Sequence, residues 1–434
     1  MENKVMPSNR FWDEKWETLS IDEKAHIQLK KLKQLLTYAN KNSPFYRRHF
    51  KEATFDTEGI NSLDDYLGRG PFVNKTILMD EQTKNPPFGD LLTVNSAELV
   101  RLYYSPGPLL IIFSHKDLKA YIERAAMGLY LAGARANDVV DISFNYNWVG
   151  AGTVHDDAYR MIGCAVLPGG AGMSETHIEL MKLTKTTVLS AFPTYAIHLY
   201  ETTKKMGVNP REDLSLRLII IVGEIRTDDD KREIGEMFGA EVREMYVGGE
   251  MGFVGSECEF GGGMHLYSDT IVEVIDPETG RCVNKGEPGE IVTTDLHRKA
   301  MPIIKYRTGD ITEGLFYGEC PCGRNSPKMK RILGRIGDIS RVKGMFVPPR
   351  RVELVVRRYK NLGRWQLVID RPEKKDRLTI RIECPKNDQK EDFKNVLIGQ
   401  FKIALGILPE IEWLNLGTIT KDTQQIKDLR NVVK

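Results

Sequence analysis

A chain of 434 residues is too long for one ordinary hydrophobic core and implies two or three domains. Its composition, 41% hydrophobic and 28% charged with a formal charge of +2, is that of a soluble globular protein and gives no electrostatic footing for nucleic acid. No apolar run approaches the ~20 residues of a membrane helix, Met1-Glu2-Asn3-Lys4 does not open a signal peptide, and six cysteines in so long a chain fit a reducing cytoplasm better than a disulfide framework.

Residues 21–39 place Ile27, Leu29, Leu32, Leu35, Leu36 and Ala39 at helical spacing, and Asn42-Ser43-Pro44 is expected to stop that helix. The run 98–104 reads as a strand, Ser105-Pro106-Gly107-Pro108 as a break, and Leu109–Phe113 as a second strand. Ser114 is placed to cap a helix over 117–132. Strands at 139–144, 165–168, 187–189 and 218–222 then alternate with helical stretches, the pattern of α/β layers. From Met264 the chain turns to strands (265–267, 271–275, 290–294), which suggests a small β-rich subdomain. After Lys343, a helix at 350–358, strands at 366–369 and 378–382, a helix at 390–404 and a strand at 410–413 read as a compact α+β module.

The stretch 305–344 joins these two parts and carries the densest chemistry. Tyr306-Arg307-Thr308-Gly309-Asp310 puts a carboxylate near a strand end, where it can accept two hydrogen bonds from a diol. Cys320-x-Cys322-Gly323 has the spacing of a zinc knuckle, and Cys258 with His265 offers a second pair, giving a Cys₃His set. Reduced buried thiols are the alternative.

Several short segments occur in a fixed order: Asn42-Ser43-Pro44-Phe45-Tyr46-Arg47-Arg48, Pro87-Phe88-Gly89, Glu244-Met245-Tyr246-Val247-Gly248-Gly249-Glu250, Tyr306 to Asp310, and Gly334-Arg335-Ile336-Gly337-Asp338. In these the chain resembles the phenylacetate–CoA ligases, a branch of the adenylate-forming acyl-CoA synthetases, over nearly its whole length. The resemblance implies an α/β adenylate-forming fold: a large layered N-terminal domain (1–337) with a β-rich subdomain, and a small mobile α+β C-terminal lid (338–434). It further implies a reaction in which a carboxylate is joined to AMP, with magnesium, before CoA attacks.

By the same resemblance Tyr246 contacts adenine, Gly223-Glu224 lies along it, Asp310 takes the ribose hydroxyls and Arg335 adds a nucleotide contact. Glu250 matches the magnesium-binding Glu, Asp338 the hinge, and some relatives carry zinc at positions matching the four Cys and His residues. The segment 145–157 aligns with the acyl pocket: Tyr146 and Trp148 are candidates to line a flat ligand, and His155 with Asp156 to act as acid or base. Polar residues capping a helix are the alternative there. A turn carboxylate and a solvated surface residue are the corresponding alternatives for Asp310 and Glu250.

Three departures from the family pattern converge on the phosphates of ATP. The Ser-Ser-Gly-Thr-Thr-Gly-Lys-Pro loop, which wraps phosphate with backbone N–H groups, is matched only by Tyr104 to Pro108; about four residues, both threonines and the Lys are missing, and two prolines remove donors. Gln424-Gln425 stands where the family has its C-terminal Gly-Lys, leaving Lys427 or Lys421 as displaced cations. Gly249 replaces a hydroxyl residue before Glu250. The expectation is an enzyme acting on an aromatic or other organic acid, its CoA thioester, or both, with adenylation impaired. An ATP-independent acyltransferase or thioester-processing enzyme on the same fold, or a non-catalytic relative that binds nucleotide or acyl-CoA, are the alternatives. A homodimer or a partner subunit is compatible with each; nucleic acid and membrane are not expected partners.

Overall fold

The computed structural model describes residues 10–105, 107–224, 227–343 and 345–430. They form two compact units, one from the N-terminal part to Thr308 together with Thr312–Arg331, the other from Gly309–Ile311 with the chain from Ile332 onward.

The first unit is built on a mixed sheet. Among the described residues its strands run, in spatial order, Leu315–Phe316, Lys328–Met329, Met264–Leu266, Gly252–Glu257, Glu241–Gly248, Leu218–Val222, Val188–Ala191, Val139–Ile142 and Ala165–Leu167. The five from Glu241–Gly248 outward are parallel, and their crossovers contain the helices Gly150–Ile162, Ser174–Thr184, Pro193–Lys205 and Asp228–Phe238. Burial on both faces explains continuous apolar strands such as Leu218-Ile-Ile-Ile-Val222, every residue of which is buried. Thr270–Ile275 pairs antiparallel with Gly289–Asp295 away from this sheet, whereas Met264–Leu266 joins it. The β-rich stretch expected after Met264 is thus divided between two sheets.

Local signals place the helices. Ser20 caps Ile21–Asn42 in a reciprocal box with Glu23, and Ser114 does the same with Asp117 for His115–Ala132. Asn42-Ser43-Pro44 ends one helix and at once starts another, Pro44–Glu52: the Ser43 hydroxyl accepts from Tyr46 N, and Pro44 occupies a first-turn position where its missing N–H costs nothing.

The second unit packs Pro349–Val356 and Glu391–Leu405 on a sheet ordered Glu410–Leu414, Arg377–Glu383, Trp365–Asp370, Ile426–Asp428. Val352, Val355, Leu367, Ile380, Leu397 and Phe401 are among its buried core residues. Ile426–Asp428 was not evident from sequence, being short and polar. Among the described residues no helix is long and apolar enough to cross a membrane.

Candidate functional site

A cavity of about 290 Å³ opens in the first unit at the ends of the parallel strands, the usual place for a ligand in an α/β sheet. Tyr103, Phe144, Phe192 and Phe253 give it aromatic walls, and Val222-Gly223 and Val247 to Gly249 supply strand ends. Gly223 has φ +86°, and a Cβ there would lie 2.8 Å from the Phe192 ring, so this position requires glycine both for conformation and for space.

His155 lines the same cavity from the helix Gly150–Ile162. Its Nδ1 lies 2.6 Å from the carbonyl oxygen of Ala151, which can only accept, so Nδ1 carries the proton. Phe144 and Phe253 hold the ring at centroid distances of 4.8 and 5.4 Å. Burial pushes its pKa down to about 4, leaving a neutral imidazole whose Nε2 has no hydrogen-bond partner among the described residues.

The other two aromatic candidates lie outside this wall. Trp148 is 80% exposed and contributes its carbonyl, which accepts from Tyr104 N at 2.7 Å. Tyr146 donates to Asp156 at 3.3 Å, and Asp156 is also held by Arg160 at 2.6 Å.

Beside the cavity the site becomes ionic. Ser105 donates to Glu250 Oε1 at 2.6 Å, Lys75 Nζ donates to Ser105 Oγ at 2.7 Å, and Lys75 Nζ lies 3.0 Å from Glu250 Oε1. Burial alone would raise the Glu250 pKa, but Ser105 and Lys75 outweigh it and hold the carboxyl below its ordinary value. The Glu250 carbonyl accepts from Arg298 Nη1 at 2.7 Å; Arg298 in turn packs over Phe113 and Tyr121 and lies 3.7 Å from Asp295, itself paired with buried Arg124 at 2.8 Å. A Cβ at Gly249 would sit 3.7 Å from Ser105 Oγ. Tyr246 is buried on the strand Glu241–Gly248. Glu224 accepts from Thr194 N at 3.0 Å and from the Thr194 hydroxyl, over the first turn of Pro193–Lys205, a favourable place for an anion. Pro106, central to the shortened loop, lies outside the described residues.

A third group gathers away from the cavity wall. The ligand atoms of Cys258, His265, Cys320 and Cys322, all buried, lie within 4.8 Å of one another. Cys258 and Cys320 sulfurs are 3.7 Å apart, Cys322 Sγ is 3.3 Å from His265 Nε2, and Ser326 Oγ holds His265 Nδ1 at 2.9 Å. Hydrogen bonds from Cys258 and then His265 hold the Cys322 thiol far below its ordinary pKa, and burial keeps His265 on the neutral side.

In the second unit Asp310 Oδ1 meets Arg335 Nε at 3.0 Å, bringing together two residues expected to touch nucleotide. Asp338 sits in the turn that follows, its N–H donating to Arg335 O at 3.0 Å. Lys427 is exposed on Ile426–Asp428, level with Val368, while Gln425 O accepts from Leu367 N at 2.9 Å.

Comparison with known proteins gives these groups a context. Residues 344–431 match the family described as AMP-binding enzyme C-terminal domain. The chain is 34% identical over 376 residues to phenylacetate-coenzyme A ligase of Thermus thermophilus, covering 85% of this chain and 83% of that relative. The chain belongs to the phenylacetate–CoA ligase family. The Pseudomonas putida phenylacetate-coenzyme A ligase is 30% identical over 423 residues, 93% of each chain. Among solved structures, an open conformation of 2-hydroxyisobutyryl-CoA ligase in complex with 2-HIB-AMP and CoA aligns with a TM-score of 0.87 and 27% identity over 99% of this chain and 96% of that one. The fold is accordingly the α/β fold of the adenylate-forming CoA ligases.

Within this phenylacetate–CoA ligase family member, Lys75 is the residue that sequence reasoning passed over. Its partners are remote in sequence, and the only local signal is Asn74, whose side chain caps the helix Lys75–Lys84 and so fixes where Lys75 starts.

Proposed function

We propose that the chain is an enzyme of the acyl-CoA ligase type that takes an aromatic or other small organic acid, its CoA thioester, or both, in the cavity around His155, and that its ATP-dependent step is weak. The observation that carries this is the state of Glu250. A carboxylate that is to hold magnesium must offer free oxygen lone pairs to a hard cation; here Oε1 is already satisfied by a hydroxyl and an ammonium. A magnesium ion brought with ATP would share this carboxylate with Lys75, whose ammonium charge opposes a second cation beside it. The shortened Tyr104–Pro108 loop and Gln425 in place of a cation act in the same direction. The apolar half of the site keeps an open, aromatic-walled cavity, which favours acyl recognition over loss of all function.

In this reading Tyr246, Gly223, Glu224, Asp310 and Arg335 hold the nucleotide when it binds, Lys427 is the one displaced cation on the C-terminal strand, and Asp338 is the pivot. The four-residue cluster is assigned a structural zinc. Tetrahedral coordination with Zn–S near 2.3 Å places sulfurs about 3.8 Å apart, against 3.7 Å for Cys258 and Cys320; the Ser326 contact fixes the imidazole nitrogen opposite the ligating one.

The test is a pyrophosphate-release assay with ATP, magnesium and a panel of acids, beside a screen for acyl-CoA turnover without ATP. Slow or absent release supports the reading, and acyl-CoA turnover without ATP selects the second reading, an acyltransferase or thioester-processing enzyme, which the intact cavity beside an occupied Glu250 favours. Acid-dependent release at the rate of an ordinary ligase overturns it. Acyl-CoA or nucleotide binding with no turnover in either assay assigns the chain to the non-catalytic relatives.

A further inference from the structure

The second unit carries a groove of its own, of about 750 Å³, between the end of the helix Pro349–Val356, the turn leading into the strand Trp365–Asp370, and the segment 419–425. That volume suits a ligand the size of a nucleotide rather than a single small ion. Its lining has two chemistries. Half-buried Tyr359 and Leu362 give apolar surface, while Arg357, Lys360, Arg364 and Lys421, all exposed, bring four cations.

Two carboxylates also line the groove, and both are already engaged. Glu353 accepts from Arg357 Nε at 2.8 Å and from the Trp365 indole N–H at 2.6 Å. Glu383 accepts from the backbone N–H groups of Arg364 and Ile419 at 3.1 and 2.6 Å. The cations are in the opposite state. Arg364 is tied by Nη1 to Ile419 O at 2.9 Å and Arg357 by Nε to Glu353, so most of the N–H donors of each guanidinium are unused. The side chains of Lys360 and Lys421 have no hydrogen-bond or ion-pair partner among the described residues. Like charges gathered in one groove repel until an anion joins them. The planar forks of two arginines match phosphate oxygens, and the lysines add point charge.

Independently of the acyl cavity, we infer that this groove is a binding site for a nucleotide bearing at least two phosphate groups. The four cations hold the phosphates, and the base lies on the apolar side beside Tyr359 and Leu362. A monocarboxylate supplies too little charge for four cations, and a bare polyphosphate leaves the apolar surface uncovered; a nucleotide answers both. The site is separate from the one assigned to Asp310 and Arg335, neither of which lines the groove. The same chemistry is found in a free nucleoside di- or triphosphate and in the adenosine 3′,5′-bisphosphate end of CoA.

The experiment uses the full chain without added metal. The probes are ATP, ADP, AMP, CoA, adenosine 3′,5′-bisphosphate, inorganic tripolyphosphate and a series of oligonucleotides. Affinity is followed at the indole N–H resonance of Trp365, assigned through Trp365→Phe, because this group lies in the groove wall. The resonance shifts saturably with a nucleotide of two or more phosphates, and AMP and tripolyphosphate bind about tenfold more weakly. Affinity falls as salt is raised. The double variant Lys360→Gln/Lys421→Gln loses about tenfold, and Lys360→Arg/Lys421→Arg retains binding; both replace exposed, unpartnered side chains and keep the thermal midpoint. In Asp310→Ala the Trp365 response persists. Preference for ATP and ADP identifies a free nucleotide, and preference for CoA and adenosine 3′,5′-bisphosphate identifies the CoA end. The inference is overturned if no nucleotide shifts Trp365, if AMP or tripolyphosphate binds as tightly as the best nucleotide, or if the Gln double variant binds like wild type. Loss of the response in Asp310→Ala overturns it too, by showing a signal relayed from the other site. Binding only by oligonucleotides, tighter with length, would reassign the groove to nucleic acid.

Discussion

The cavity around His155 and the ion cluster around Glu250 lie in one compact unit, but a ligand would meet them differently. The cavity offers aromatic surface, and none of the described residues fills it. At Glu250 the chain supplies its own partners: Ser105 and Lys75 hold Oε1 of the carboxylate, and Arg298 secures its backbone carbonyl. In the proposed function, the acyl side is therefore built to gain a partner and the phosphate side already has one. Adenylation depends on stabilising charge that grows on phosphate, so under the proposed function its rate would fall through the phosphate side alone, while recognition of an acyl group would survive.

The largest expected effect breaks or upholds that contrast directly. Each missing phosphate contact costs about 10²–10³-fold in rate, so the short loop and Gln425 together lower adenylation by about 10⁴–10⁶-fold, or about 5–8 kcal/mol. Gln425→Lys alone is expected to recover less than about one such factor, because the loop still cannot wrap phosphate. If Lys427 supplies the residual activity, Lys427→Ala abolishes it while Gln425→Ala leaves it unchanged; pyrophosphate release measures all three. A full recovery in Gln425→Lys would show that the phosphate side is intact but for one cation.

The scaffold under Glu250 should be the next most costly to disturb. Asp295 is buried, bidentate to Arg124 and close to Arg298, and the two cations hold its carboxyl down to about 2 against the raising effect of burial. Asp295→Ala leaves two buried guanidinium groups without their counter-ion and is expected to cost about 3–5 kcal/mol. Denaturant unfolding gives that number. Since Arg298 also donates to Glu250 O, acid binding in the cavity should change little in any Asp295→Ala protein that remains folded; a large loss there would show that the two sides are mechanically one.

The proposed zinc site offers a contrast of another kind, one that would support structure with no part in either side. Cys320→Ser is expected to remove about one equivalent of zinc, read by elemental analysis, and to lower stability by about 3 kcal/mol or more, while the acids of the panel still bind the cavity. Protein purified without zinc, and insensitive to a chelator, would reject the assignment.

How much of this could be read beforehand depended on whether a feature was local. The parallel strands are apolar throughout because both faces are covered, so Leu218–Val222 could be placed to the residue. The gathering of Cys258, His265, Cys320 and Cys322 was legible because metal chemistry restricts the residue types to look for even when 62 positions separate Cys258 from Cys320. Asn42-Ser43-Pro44 was read only as a stop, since the residues that end one helix also cap the next. The aromatics of 145–148 illustrate the limit: composition shows that rings are present but not which way they point, and Trp148 is mostly in solvent while Phe192 and Phe253 wall the cavity. Lys75 had no signature at all, because Ser105 lies 30 residues away from it and Glu250 is a further 145 beyond Ser105.

The smallest effect separates two acids near the same strand end. Glu250 has Lys75 and Ser105 to itself, and its pKa is lowered. Glu244, earlier on the strand Glu241–Gly248, shares Lys231 with Glu257: the ammonium is 3.7 Å from Glu244 but 2.5 Å from Glu257. Burial, offset only in part by Lys231, raises Glu244 from 4.5 to about 7. The two must then respond to pH with opposite sign. Between about pH 4.5 and 7 the folded state holds a proton on Glu244 that the unfolded chain has released, so this residue's contribution to stability falls as pH rises through that window, by an amount on the order of 2–3 kcal/mol. Glu250 contributes stability above its unfolded value of 4.5, and that contribution is lost as pH falls through its lower folded pKa. Denaturant midpoints of the wild type, Glu244→Gln and Glu250→Gln across pH 4–8 resolve the pair. Glu244→Gln should flatten the decline between about pH 4.5 and 7, and Glu250→Gln should lower stability across that range while leaving the decline in place. Parallel curves for the wild type and Glu244→Gln would mean that Lys231 serves Glu244 as fully as Lys75 serves Glu250, and that a private cation is not what distinguishes the phosphate side.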